Sequence, residues 1–144
     1  MEDEKEMTDE QRTTITDFIN SVYGKPVVFG ERDCNLTVMF IIDVMTGSNY
    51  YSTMKGTYTT IEEGIAKAKD LIGMTPSAFM KKHFNKTDSL EDGVITSSIK
   101  KNKTTNVYHT GVYFSGVILV ADENNIFTTV HPIDTEYQDL WRVK

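Results

Sequence analysis

The apolar positions of this chain change rhythm near Leu90. Before it they recur at helical spacing, and after it they fall into short, β-branched, alternating runs. Thr8-Asp9-Glu10-Gln11 matches a capping box with acids in the first turn. Ile15, Phe18, Ile19, Val22 and Tyr23 then form one stripe that stops at Gly24. Lys25-Pro26 imposes an extended exit. The next run, Leu36 to Met45, is apolar on nearly every side and is closed by Gly47. Its length predicts a buried helix from about Asn35 to Thr46, against the rival reading of a buried strand.

A polar stretch, Ser48–Thr59, carries Tyr50, Tyr51 and Tyr58. Thr60-Ile61-Glu62-Glu63 opens another helix to about Ile72, with Ile61, Ile65, Ala68 and Ile72 inward. Thr75-Pro76 predicts an N-cap and N1 proline for a short helix carrying Phe79, Met80, His83 and Phe84. His83 reads as a partly exposed helix histidine. Strands are expected at Val94–Thr96, Val107–Phe114, Val117–Ala121, Ile126–His131 and Leu140–Val143, with Lys100–Lys103 as a solvated basic loop. Helices first and an antiparallel sheet second make an α+β domain. It is expected over residues 8–144, behind a frayed acidic tail at 1–7.

Totals narrow the function. The chain of 144 residues carries a net charge of −6, which argues against nucleic acid as the main partner. One cysteine excludes an internal disulfide and a multi-cysteine zinc site, and no cofactor or metal is expected. The acidic N-terminus lacks the apolar segment of a secretory signal, and no run is long enough for a membrane helix. A soluble protein made in the cytosol, without membrane insertion, is the expectation.

The lone thiol, Cys34, opens the buried helix. One reading is a small core residue, as most free cysteines are. The other is a nucleophile, because first-turn N–H groups and the helix dipole favour a thiolate. A two-residue turn at Ser115-Gly116 sets a hairpin register in which Phe114 faces Val117, Val112 faces Leu119 and His109 faces Asp122. Opposed residues share a face, so His109 and Asp122 could form an imidazole–carboxylate pair. An ordinary cross-strand pair is the alternative. The three tyrosines could line a substrate groove, or they could cap the edge of the core with their hydroxyls in water.

The order of these parts resembles the NlpC-type papain-like cysteine peptidases, which cut peptide stems of bacterial peptidoglycan. Phe29-Gly30-Glu31-Arg32-Asp33-Cys34 is similar to their turn ending in Asp-Cys. Glu91-Asp92-Gly93-Val94 is similar to their Gly-Asp-Val opening of a strand, and His109-Thr110-Gly111-Val112-Tyr113 to their His-x-Gly-Ile-Tyr strand. Thr46-Gly47, Tyr58-Thr59-Thr60 and Trp141 are closer still to a small phage-tail-associated branch. Asn35 replaces the usual serine after the cysteine, and Phe29 stands where many members carry tyrosine.

The resemblance implies a papain-like fold, with Cys34 as nucleophile and His109 as base. Asp122 is the third group on the hairpin argument, and His131 is its reserve. The implied substrate is a peptidoglycan peptide amide, the implied setting the tail of a virion, and the implied partners other phage tail proteins. A catalytically silent component of the tail tip with the same fold is the alternative. An amide-cleaving enzyme acting in the host cytosol fits the same residues.

Overall fold

Five helices precede or flank a six-stranded antiparallel sheet in the computed structural model, which describes residues 7–102 and 105–144. The expected tail at residues 1–6 and the tip residue Lys103 lie outside those residues. Met7 does not belong to a frayed tail: its side chain packs against the main core.

Helix α1 (Asp9–Val22) starts with the capping box the sequence predicts, with Thr8 and Gln11 each accepting from the other's backbone N–H. Ile15 and Val22 are buried, whereas Tyr23 is 54% exposed because the helix has already ended there. Helix α2 (Cys34–Thr46) is the central element. Asp33 is its N-cap, and Gly47 closes it in the left-handed conformation. Leu36, Thr37, Val38, Met39, Ile41 and Ile42 are all buried, so the apolar run is a helix sunk in the core rather than a strand.

A short helix, α3 (Tyr50–Met54), was not legible in the polar stretch. Its N-terminus is held from outside: the Asp43 carboxylate of α2 accepts the N–H groups of Tyr50 and Tyr51, at 3.0 and 2.8 Å. Helices α4 (Ile61–Leu71) and α5 (Pro76–His83) follow, capped by Thr60 and Thr75 with Pro76 in the first turn, as expected.

The sheet runs β1-β6-β2-β3-β4-β5. Its strands are β1 (Phe84–Thr87), β2 (Ile95–Asn102), β3 (Thr105–Phe114), β4 (Val117–Ala121), β5 (Phe127–Val130) and β6 (Asp139–Val143). Strand β2 is longer than predicted, and Lys100 to Asn102 belong to it rather than to a loop. The hairpin register holds: Val112 pairs with Leu119 and Phe114 with Val117. The Arg12 guanidinium bonds the Asp92 carboxylate, whose other oxygen accepts the Ser115 N–H at 2.8 Å, tying α1 to the hairpin turn.

One face of the sheet carries the main core. Ile95, Val112, Phe114 and Trp141 pack there with Ile15, Leu36, Ile41, Ile42, Met54, Phe79 and Phe84. A smaller cluster of Val22, Leu119 and Phe127 seals the end of α1 against β4 and β5.

Candidate functional site

Cys34 is the first residue of α2, and it is neither sealed in nor fully exposed. What places it is the turn before it. Asp33 is 3% exposed, and its carboxylate gathers three donors. The Leu36 N–H reaches Oδ1 at 2.8 Å, while the Gly30 N–H and the Tyr58 hydroxyl reach Oδ2 at 2.9 and 2.5 Å. The Asp33 carbonyl accepts the Thr37 N–H, starting the helical ladder. Burial first, then the charge and hydrogen bond of Asp33, then the proximity of Cys34, hold the Tyr58 phenol far above its ordinary pKa, so it stays a donor.

On the sheet side, the Thr110 hydroxyl of β3 lies 3.5 Å from the Cys34 carbonyl oxygen. His109 is the residue before Thr110. In the alternation of β3, Thr110 falls in the set of Val112 and Phe114, which carry the core, and His109 in the other set, with Gly111 and Tyr113. His109 lines a shallow depression with Thr96, Ser98, Val120, Glu136 and Tyr137. Glu136 and Tyr137 come from the β5–β6 connection, which no sequence signal tied to His109. Gly111 has a packing reason beside it: a Cβ there would lie 2.8 Å from Ile118 and 2.9 Å from the Leu119 carbonyl oxygen.

The expected acid is engaged in a turn. Strand β4 ends at Ala121, and Asp122 starts a turn in which its Oδ1 accepts the N–H groups of Asn124 and Ile126, at 2.8 and 3.0 Å. Local side-chain-to-backbone bonding of this kind commits one carboxylate oxygen to the turn itself. The reserve, His131, caps the short 3-10 helix Pro132–Asp134, its Nδ1 accepting the Ile133 N–H at 3.2 Å.

The tyrosines of the expected groove are built into the helical layer. Tyr58 is 5% exposed. Tyr50 stands edge-on to Phe79 at 4.9 Å. Tyr51 stands edge-on to Phe40, at 5.4 Å, and to Phe18, at 6.0 Å. Tyr50 and Tyr51 are thus partly buried against the main core, and Tyr58 lies within it.

Residues 7–143 match the family described as Domain of unknown function (DUF6950). The chain belongs to this family. No curated protein and no solved structure matches it. The DUF6950 match spans Asp33, Cys34, Tyr58 and His109 together, together with nearly all of the fold that positions them. None of the helices among the described residues is long and apolar enough to cross a membrane.

His83 has a consequence of its own. Its ring packs on Phe79 at 4.5 Å and on Tyr50 at 5.2 Å, and its Nε2 is buried with no hydrogen-bond partner among the described residues. Burial, then the charges of Lys82 and Lys144, lower its pKa below 6.5. The native state therefore binds fewer protons than the unfolded chain, and stability falls as the pH drops from about 6.5. Between about pH 7.5 and pH 5.5 the melting temperature of the wild type should fall further than that of His83→Leu. Equal slopes would remove His83 from the account.

Proposed function

We propose that the protein is a papain-like cysteine hydrolase that cuts a peptide amide of peptidoglycan in the service of a phage tail. The observation that carries the reading is Cys34 itself. The sole thiol is the first residue of a buried helix, capped by a buried carboxylate and laid against the strand that bears His109. The α+β order, the Asp-Cys turn and the His-x-Gly strand supply the resemblance to the NlpC-type enzymes, and with it the substrate class and the tail setting.

In this mechanism the Cys34 thiol gives its proton to His109, and the thiolate sulfur attacks the amide carbonyl carbon. First-turn N–H groups of α2 receive the developing oxyanion. The imidazolium returns the proton to the leaving amine, and a thioester is left on Cys34. Water, deprotonated by His109, then attacks the thioester and releases the carboxylic acid and the free thiol. His109 lines a depression with Glu136 and Tyr137, so Glu136 stands beside Asp122 as a candidate to orient the imidazole.

The alternative is a virion component that keeps the fold with a silent site. It is favoured by the place of His109 in the alternate set of β3 and by the engagement of Asp122 in its own turn. One assay separates the two. Purified peptidoglycan is incubated with wild type and Cys34→Ala, and new amino groups are counted. Release by wild type should exceed that of the variant by on the order of 10³-fold. Equal release removes the nucleophile, and no release by a wild type of ordinary thiol reactivity leaves the scaffold reading.

A further inference from the structure

Asp33 presents a problem that its neighbours solve. A buried carboxylate in the residue before a thiol opposes formation of the thiolate, since like charges in a poorly solvated site repel. Yet the same carboxylate is the helix cap, and its replacement by a neutral apolar residue would leave the Leu36 and Gly30 N–H groups unpaired. The Tyr58 hydroxyl lies 2.5 Å from Asp33 Oδ2, on the same oxygen as the Gly30 N–H.

Tyr58 reaches that place through three close approaches. The Gly30 Cα passes against the Tyr58 backbone, the Gly56 N–H bonds the Gly30 carbonyl at 2.7 Å, and Gly64 lies under the Tyr58 ring, where a Cβ would be 3.0 Å from it. A hydroxyl positioned so closely over one oxygen spreads the carboxylate's charge away from the helix start.

We propose that Tyr58 is a positioning residue that screens Asp33 from Cys34, so that the cap can remain charged while the thiol ionises. The pair sets the thiol's reactivity through charge, beyond holding the turn in shape. This rests on the reading of Cys34 as a functional thiol, but its signature is a titration and does not require that any substrate be cut. Among the described residues, the groups set against Cys34 include Asp33 in the turn, Tyr58 before α4 and, on β3, the neutral Thr110 beside His109.

The experiment is the pH dependence of Cys34 alkylation by iodoacetamide on the folded full-length chain. Tyr58→Phe keeps the ring and removes the donor, and it should move the inflection up by about one pH unit. Asp33→Asn keeps a side-chain oxygen for the cap and removes the charge, and it should move the inflection down by a similar amount, within the ordinary spread of protein pKa values. Both variants lose stability, so a shared structural effect would shift the two curves in the same direction.

Phe79→Leu, a core change that touches neither partner of the Asp33–Tyr58 bond, controls for destabilisation and should leave the inflection in place. Opposite shifts support the proposal even if peptidoglycan is untouched by the wild type, in which case only the hydrolase reading falls. Shifts of one sign in both variants, or none in either, overturn it. Should Asp33→Asn fail to fold, Tyr58→Phe against Phe79→Leu decides: an upward shift confined to Tyr58→Phe supports the proposal, and matching curves sink it.

Discussion

Replacing Gly30 by alanine is expected to lower the melting temperature by roughly 10 °C, from a loss of roughly 3 kcal/mol. Two independent costs meet at this residue. Its φ is +88°, a left-handed conformation that glycine adopts freely and alanine adopts at a cost of about 1 kcal/mol. In addition, a Cβ would sit 1.9 Å from the Tyr58 carbonyl oxygen. That neighbour is backbone, so no rotamer change relieves the overlap, and one of the two segments has to move. Movement of Tyr58 withdraws its hydroxyl from Asp33, while movement of the turn withdraws the Gly30 N–H from the same carboxylate.

Either way the cap of α2 is damaged, and Cys34 is displaced with it. Thermal melts followed by circular dichroism test this. Gly24→Ala is the comparison, because its φ is also positive but a Cβ there meets nothing within 4 Å. It should cost only the conformational part. Equal losses at the two positions would show that the approach to Tyr58 carries no weight.

The parts of the fold that were legible are those whose cause is local. The apolar run and the closing Gly47 both belong to α2, and they define it with no help from the rest of the chain. The Ser115-Gly116 turn is equally self-contained: both residues have positive φ, and together they force the register that β3 and β4 show. Elements built from distant partners were missed. Helix α3 depends on Asp43 for its N-terminal bonds, and β1, with the polar sequence FNKT, is a strand because β6 pairs with it.

The site divides along the same line. Cys34 at a helix start could be read from spacing. The Tyr58–Asp33 bond joins residues 25 positions apart, and nothing in a polar tyrosine-rich stretch announces it. Asp122 shows another side of this. The register argument reached as far as the hairpin, but it did not include the bonds by which Asp122 Oδ1 accepts the Asn124 and Ile126 N–H groups of the following turn.

Trp141→Ala is expected to cost about 3–5 kcal/mol, the range for truncating a buried large aromatic, and to leave a fraction of the chain unfolded at room temperature. Trp141 sits on β6, between β1 and β2, with its ring in the main core. It is paired across the sheet with Lys86 on one side and Ile95 on the other, and the Lys86 ammonium lies 5.3 Å from its ring centre. Its indole N–H donates to the Ser97 hydroxyl at 2.8 Å, and Ser97 is itself buried.

The variant that separates packing from hydrogen bonding is Trp141→Phe. It retains most of the apolar area but leaves the buried Ser97 oxygen without this donor, at about 1–3 kcal/mol. Adding Ser97→Ala to Trp141→Phe removes the Ser97 hydroxyl and should recover part of the loss, whereas Ser97→Ala in the wild type should destabilise by removing the bond that the indole N–H makes to it. Denaturant melts of the four chains make a double-mutant cycle. A coupling energy near zero would mean that Trp141 acts through its bulk alone. A coupling of about 1 kcal/mol or more would make the indole–hydroxyl bond the fastening between β6 and β2, and through β2 a support for the strand that carries His109.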